Sequence, residues 1–200
     1  KSMPRITVVG PESSGKTTLA EQLMFHFHGG YSSEVAREYL NELERPYIEA
    51  DLLEIAKEQC RFHGFGEEVF KGFEVQVQTP PMVRGQARER KLRGYMFCDT
   101  DLITIYIWSM EKYGRAHPEI ERMARTVNFD HWLLCKPDIP WEPDPLRENP
   151  HDRDRLFDIY ERTLKEFGKP YFIVEGGREE RMQKATAKLD LLFGNREVEI

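Results

Sequence analysis

Length, composition and charge place this chain among ordinary globular proteins. Its 200 residues are 40% hydrophobic and 32% charged, which predicts one α/β domain over residues 1–200 with a sizeable core. The formal net charge of −6 argues against a protein that binds nucleic acid through general electrostatics. No apolar run approaches the roughly 20 residues of a membrane span, so we expect no contact with a membrane.

The three cysteines indicate a reducing compartment rather than a disulfide framework. Cys98 and Cys135 each end an apolar, strand-like run, where a small buried thiol is a common occupant. The first residues, Lys1 to Pro4, are too few and too polar for a signal peptide. We therefore expect a cytoplasmic protein.

The first predicted strand, Arg5–Val9, and the first predicted helix, Thr18–Phe27, flank a phosphate-binding motif. Gly10–Thr17 fits G-x-x-x-x-G-K-[ST], whose glycines let the backbone wrap closely around an anion. We expect Lys16 to reach the β- and γ-phosphates and Thr17 to ligate Mg²⁺. The predicted triphosphate site consists of Gly10, Glu12, Ser13, Ser14, Gly15, Lys16, Thr17 and Thr18.

The rest of the chain alternates short apolar runs with amphipathic segments, which predicts a parallel sheet covered on both faces. The further predicted strands are Tyr31–Val35, Tyr95–Asp99, His131–Cys135 and Tyr171–Val174. The further predicted helices are Ala36–Leu43, Ile48–Phe62, Leu102–Tyr113, Ile120–Val127, His151–Phe167 and Glu179–Phe193. We therefore predict a five-stranded P-loop NTPase fold.

The pattern loosens in the middle of the chain. Phe73–Val77 alternates like an exposed strand, and Pro80-Pro81 breaks whatever follows. A basic run then extends from Arg84 to Arg93. A solvated surface segment is the favoured interpretation of this run, and contact with phosphates or an acidic partner is the alternative.

Several polar residues follow predicted strands, where ligands of parallel sheets bind. Asp99 ends an apolar strand and suits either Mg²⁺ or the proton of an acceptor hydroxyl. Asp101 begins a helix, so it either caps that helix or faces the ligand. Glu34 and Arg37 follow the second strand, where they hold an acceptor or lie on the surface as ordinary charges.

Arginines downstream add positive charge for a transferred phosphoryl group. Arg147, Arg153 and Arg155 cluster where a lid would bring guanidinium groups onto the phosphates, although an ordinary charged helix face fits each of them equally well. The Asn-Lys-x-Asp base-recognition sequence of GTPases is absent. A small-molecule kinase is the best interpretation.

Six segments in order resemble the ribosylnicotinamide kinase domain of bacterial NadR proteins, within the P-loop kinase superfamily. They are Gly10–Lys16, Ala36–Tyr39, the D-T-D segment Phe97–Thr104, Tyr113–Pro118, Pro140–Arg147 and Glu175–Arg181. The resemblance covers nearly the whole chain and is much more specific than the P-loop. It implies ATP-dependent phosphorylation of the 5′-hydroxyl of nicotinamide riboside to nicotinamide mononucleotide, as in NAD salvage.

The resemblance also implies site roles and a fold like that of nucleoside and nucleotide kinases. The acceptor would lie between the second and third strands. The resemblance implies that Asp99 is the Mg²⁺ or base carboxylate, so together with the motif and the arginines we expect Lys16, Asp99, Arg147 and Arg153 to be catalytic and Thr17 and Asp99 to lie at the metal. The implied acceptor contacts are Glu34, Arg37, Asp99, Asp101 and Trp141, and the adenine would lie beside Gly176, Gly177 and Arg178. Residues 144–167 would form the lid.

The sequence departs from the family at the acceptor site. Ser33 and Val35 stand where some members carry aromatic residues, and residues 70–93 look like an insertion on the acceptor side. A kinase for another nucleoside or small hydroxylated acceptor is therefore one alternative, and an ATP-dependent regulatory module is another. The adenylyltransferase motif H-x-G-H of longer members is absent. We expect either a stand-alone kinase or the kinase part of a longer protein, and the sequence indicates no oligomeric state.

Overall fold

The structure is a computed structural model that describes residues 3–63, 94–143 and 151–194. The strands in these residues are β1 (Arg5–Val9), β2 (Gly30–Ser32), β3 (Met96–Asp99), β4 (His131–Cys135) and β5 (Tyr171–Val174). The helices are α1 (Lys16–Phe27), α2 (Val35–Glu42), α3 (Glu49–Phe62), α4 (Leu102–Tyr113), α5 (Pro118–Thr126), α6 (Arg153–Glu166) and α7 (Arg178–Phe193).

The five strands form one parallel sheet in the order β2-β3-β1-β4-β5. In the central strand, Ile6 pairs with Phe97 of β3 on one side and with His131 of β4 on the other. The predicted five-stranded parallel sheet is confirmed. Because β1 lies at the centre and β3 beside it, the segments that follow these strands meet at the middle of one edge of the sheet.

Side chains alternate between two cores, one on each face of the sheet. Ile6 and Val8 of β1 join the core under α1 and α7, whereas Val9 joins the larger core under α3 to α6. Burial on both faces explains why the strands are continuously apolar rather than alternating. The largest fully buried side chain, Trp132, lies in the larger core.

The predicted elements differ from the observed ones mainly at their ends. The strand β2 stops at Ser32, so Glu34 is the N-cap residue of α2 rather than the end of a strand. The helix α1 already begins at Lys16, inside the motif. The predicted strand Phe73–Val77, the basic run 84–93 and Arg147 lie outside the described residues.

All three cysteines are buried and unpaired, which confirms the expected burial of Cys98 and Cys135. Among the described residues, no helix is both long enough and apolar enough to cross a lipid bilayer. The helix α6 forms most of the predicted lid segment 144–167 that the structure describes, and it packs into the larger core through Phe157, Tyr160 and Leu164. This part of the segment is therefore packed against the larger core, beside the candidate active site described below.

Candidate active site

The P-loop adopts a conformation that requires its glycines. Gly10 has a φ of 146°, and a Cβ atom there would lie 2.6 Å from the Cys135 carbonyl oxygen. Gly15 caps α1 in the left-handed conformation with a φ of 81°. Ser13 also has a positive φ, 54°, which costs a residue with a side chain some strain. The loop therefore wraps tightly just before the N-terminus of α1.

The loop is stabilised by donors that hold its carbonyl oxygens. The Ser14 hydroxyl donates to the Pro11 carbonyl over 2.7 Å, and Lys16 Nζ donates to the same oxygen over 2.8 Å. The positive end of the α1 dipole lies at Gly15 and Lys16. A helix N-terminus beneath a glycine-rich loop favours binding of a phosphate anion.

Asp99 lies beside this loop at the end of β3. Its Oδ2 atom accepts a hydrogen bond of 2.5 Å from the Thr17 hydroxyl and a longer one, 3.5 Å, from the hydroxyl of Tyr31. Asp99 is only 2% exposed, and its Oδ1 atom is buried without a hydrogen-bond partner in the described part of the protein. Burial raises the pKa of Asp99, and the Thr17 hydrogen bond and the Lys16 charge oppose that rise.

This pair fits a magnesium ion. A hydroxyl and a carboxylate with a spare oxygen are the protein ligands that P-loop enzymes give to Mg²⁺. Among the described residues, no group of three or more His, Cys, Asp or Glu could hold a metal ion by itself. Mg²⁺ usually takes its other ligands from phosphates and water, so Thr17 and Asp99 are a sufficient protein contribution.

Asp101 is a structural residue in this geometry. Its Oδ1 atom accepts from the backbone N–H groups of Ile103 and Thr104 at the start of α4, and its Oδ2 atom accepts from Trp132 Nε1 over 2.7 Å. Burial raises its pKa to about 6. Of the two roles left open by the sequence, the structure shows the helix cap, and Asp101 does not line the cavity described below.

A buried polar network holds the turn between Asp99 and Asp101. Thr100 has a φ of 63°, and its carbonyl accepts from Thr7 Oγ1 and from His63 Nε2. His63 Nε2 lies 2.9 Å from the Thr100 carbonyl and 3.0 Å from Gln59 Nε2. Because a carbonyl only accepts, the bond to Thr100 requires the proton on Nε2, so Nδ1 accepts from the Ser32 hydroxyl over 3.0 Å and Gln59 Nε2 donates to the Ser33 carbonyl instead. Burial lowers the His63 pKa to about 4, so this histidine is neutral.

One cavity of about 540 Å³ joins the P-loop to the space between α2, α4 and α6. Its P-loop lining is Gly10, Pro11, Glu12, Ser13, Ser14, Gly15, Lys16, Thr17 and Thr18. Away from the loop, the polar lining includes Glu34, Arg37, Arg45, Thr104, Glu111 and Glu142. The apolar and aromatic lining includes Leu40, Tyr47, Ile107, Trp108, Leu156 and Tyr160. Glu34 and Arg37 therefore line the same cavity as the P-loop.

Burial raises the pKa of Glu34, and the positive charge of Lys16 opposes this rise. A carboxyl group with a raised pKa beside a phosphate site is a candidate for contact with an acceptor hydroxyl or its proton. Because β2 is short, Glu34 is the N-cap residue of α2, and this position lies in the cavity wall.

Tyr47 and Trp108 form an aromatic wall that sequence reasoning missed. Their ring centroids are 5.1 Å apart at an angle of 68°, and Trp108 Nε1 donates to the Tyr47 hydroxyl over 3.1 Å. Lys112 lies over the Tyr47 ring at 5.0 Å. Both rings line the cavity. The signal in the sequence was weak, since Trp108 lies on an otherwise apolar helix that predicts core packing.

Arg153 and Trp141 lie beside the P-loop. The Arg153 Nη1 atom donates to the carbonyls of Ser13 and Ile139, each over 3.0 Å, and its guanidinium lies 5.7 Å from the Trp141 ring centroid. Neither residue lines the cavity. The structure thus brings both near the P-loop, with Arg153 on a loop carbonyl, while Arg147 lies outside the described residues.

The predicted adenine turn lies beyond β5. Gly176 has a φ of 94°, and its N–H donates to Asp138 Oδ2 over 2.7 Å. Gly177 caps α7, and the exposed Arg178 begins that helix. These three residues do not line the cavity, but Arg181 links their turn to the P-loop, with its Nε donating to the Gly176 carbonyl and its Nη1 to that of Ser14.

Comparisons with known proteins identify relatives of this chain. A family model described as an AAA domain matches residues 5–181. The trifunctional NAD biosynthesis/regulator protein NadR of Salmonella typhimurium is 24% identical over 169 residues, which are 80% of this chain and 35% of that protein. The resemblance to NadR predicted from the motifs is confirmed, and the chain spans about a third of the length of this curated relative.

Solved structures share the fold. A NadR structure in complex with NR has a TM-score of 0.70 at 21% identity and covers 99% of this chain and 54% of its own. A second NadR structure, with NAD and AMP-PNP, has a TM-score of 0.66 at 22% identity and covers 99% of this chain and 52% of its own. Thymidylate kinase from Ehrlichia chaffeensis has a TM-score of 0.60 at 13% identity, covering 95% of this chain and all of its own. The predicted kinase-like fold is confirmed.

Proposed function

The chain belongs to the AAA domain family, and we propose that it uses its P-loop to phosphorylate a nucleoside with Mg-ATP. The proposed acceptor is nicotinamide riboside, and the product is nicotinamide mononucleotide. The single observation that carries the proposal is the cavity, in which the P-loop and an acceptor-sized pocket share one space. The similarity to NadR, of which one structure is a complex with NR, supports this choice of acceptor.

The P-loop residues bind the donor in this proposal. Its backbone N–H groups and Lys16 contact the phosphates, and Thr17 and Asp99 hold Mg²⁺. The ion, when bound, neutralises charge that develops on the transferred group. The spare Oδ1 oxygen of Asp99 and the 2.5 Å contact between Asp99 and Thr17 support this assignment. Asp99 therefore acts at the metal.

The acceptor binds on the α2 side of the cavity. Glu34 contacts the 5′-hydroxyl, because its carboxyl lines the same cavity as Lys16, whose positive charge acts on it, and its pKa is raised by burial. Arg37 lies one helical turn further along the same wall and binds the ribose. Phosphoryl transfer then depends mainly on holding this hydroxyl in line with the phosphate.

The nicotinamide ring lies against the aromatic wall of Tyr47 and Trp108. Flat rings pack well on aromatic faces, and a cationic ring gains further from them. The pyridinium of nicotinamide riboside is cationic, and the carboxylates of Glu34 and Glu111 line the same cavity. These groups take the place of the aromatic residues that some family members carry at the positions of Ser33 and Val35.

A second candidate acceptor is another nucleoside. The observation that favours it is the different position of the aromatic residues. In this pocket an aromatic ring comes from α4, whereas some family members carry aromatic residues at the positions of Ser33 and Val35. A cytoplasmic location is part of the proposal, because ATP is the donor.

The test is product identification. The protein is incubated with Mg-ATP and one nucleoside at a time, and products are identified by mass. We expect nicotinamide mononucleotide from nicotinamide riboside at a kcat/KM at least about tenfold above that of other nucleosides. A stronger preference for another nucleoside would establish the second candidate instead.

A further inference from the structure

Arg181 is a buried arginine that binds three separate loops. It is 4% exposed and lies on the first turn of α7. Its Nε donates to the Gly176 carbonyl over 2.7 Å, and its Nη1 donates to the Ser14 carbonyl over 2.5 Å. Its Nη2 donates to the Lys136 carbonyl over 2.7 Å and to Asp138 Oδ1 over 2.5 Å.

These acceptors follow three different strands. Ser14 lies in the P-loop after β1, Lys136 and Asp138 follow β4, and Gly176 follows β5. The contact with the P-loop is direct, because a Cβ atom added to Gly15 would lie 3.3 Å from the Arg181 Nη1 atom. One side chain therefore links the phosphate loop to the turn proposed to lie beside the adenine.

The hydrogen bond to Ser14 fixes the direction of a backbone N–H. A trans peptide is planar, so its C=O and N–H point in opposite directions. When Arg181 holds the Ser14 carbonyl on its own side of the loop, the N–H of Gly15 must point to the other side. Arg153 does the same for the preceding peptide, since it holds the Ser13 carbonyl. N–H groups fixed before binding cost nothing to reorganise when an anion arrives.

We propose that Arg181 is a positioning residue for nucleotide binding. It orients the Ser14–Gly15 peptide toward the phosphates and sets the Gly176 turn at a fixed distance from the P-loop. A buried guanidinium is stable only while its donors are satisfied, so the three loops keep one relative arrangement. The inference rests on nucleotide binding at the P-loop and not on the identity of the acceptor.

Lysine cannot replace this arginine. The guanidinium is a planar fork whose donors point in several fixed directions, whereas lysine has its donors on a single nitrogen. The variant R181K keeps the charge and loses the contacts that span the loops. The variant D138N keeps the shape of the Asp138 side chain and removes its charge. It therefore weakens the contact between Arg181 and residue 138 through a change at a partly exposed position.

The experiment is a titration of each variant with Mg-ATP by isothermal calorimetry, with KM values for both substrates measured alongside. We expect R181K to raise the Kd for Mg-ATP about tenfold or more and D138N about threefold, as for a lost charge-assisted contact. The KM for the acceptor should stay within about twofold in both, because Arg181 does not line the cavity. The control K184Q removes a positive charge three residues further along α7, where the lysine pairs with Glu180, and should bind normally.

A merely structural role predicts a different pattern. It would lower the melting temperature and leave the Kd of the folded protein within about twofold of the wild type, and this result in R181K would overturn the proposal. If R181K does not fold, D138N decides in the same way. Because the deciding readout is the Kd for Mg-ATP, an incorrect acceptor assignment would affect only the acceptor KM and leave this decision unchanged.

Discussion

The two ends of the cavity are built in different ways. The phosphate end uses one continuous segment, Gly10–Thr17, and acts mostly through backbone groups held by buried donors. The acceptor end uses side chains from α2, α4 and α6 and from the loop around Tyr47, several of them partly exposed. The phosphate end is therefore fixed by local conformation, whereas the acceptor end depends on how distant helices pack.

The two ends should therefore respond differently to substitution. Backbone recognition of phosphate is common to P-loop proteins and carries little information about the acceptor. Side chains on separate helices can change one at a time without disturbing the loop. We expect substitutions at the phosphate end to remove turnover with every acceptor and substitutions at the acceptor end to change only which acceptor is used.

The largest expected effect is that of K16A. Loss of the ammonium that contacts the β- and γ-phosphates should lower kcat by about 10³-fold with every acceptor, because an aligned charge at the transferred group is lost. Steady-state ADP release measures this. K57Q, which changes a partly exposed lysine paired with Glu54 on α3, is the matched control. More than a tenth of wild-type kcat in K16A would contradict the assignment.

The next effect is that of D99N. Asparagine keeps the size of the side chain but removes the charge beside Thr17, so kcat should fall about 10²-fold while the Kd for Mg-ATP rises far less. Steady-state kinetics and calorimetry separate the two quantities. Equal losses in both would mean that the Mg²⁺ held by Asp99 serves nucleotide binding rather than the transfer step.

At the acceptor end, W108A should raise the KM for the acceptor about fivefold and leave the KM for ATP unchanged, since a stacked ring contributes roughly 1 kcal/mol. The exposed Met110 of the same helix supplies the control M110A. The comparison between the two ends would fail if W108A changed the KM for ATP as much as that of the acceptor.

The smallest effect concerns pH and His63. Its folded-state pKa of about 4 lies below the ordinary 6.5, so the unfolded chain takes up a proton first as the pH falls. Stability is therefore present above about pH 6.5 and is lost as the pH falls toward 4.

Between pH 7 and 5.5 this histidine should reduce the free energy of unfolding by about 1 kcal/mol. H63Q retains a donor for the Thr100 carbonyl but does not titrate, so it should remove this contribution and about halve the pH dependence that His63 and His131 produce together. Denaturant unfolding at the two pH values measures it. An unchanged slope in H63Q would mean that His131, whose pKa burial also lowers to about 4, dominates.

Sequence patterns predicted the phosphate end well and the acceptor end poorly. The motif and the end of β3 located Lys16, Thr17 and Asp99, because these residues lie where local sequence determines the backbone. The role of Arg181 and the meeting of Tyr47 with Trp108 depend on contacts between residues far apart in the chain. Asp101 lies between these two cases. Its position in the sequence suggested a helix cap, but its hydrogen bond with Trp132 could not be predicted from the sequence.

The most direct test of the central claim is ADP release from Mg-ATP with and without nicotinamide riboside. We predict strong stimulation by the riboside, formation of nicotinamide mononucleotide, and loss of both in K16A. Binding of Mg-ATP without stimulation, and without mononucleotide at any riboside concentration, would contradict the proposed acceptor while leaving the P-loop assignment in place.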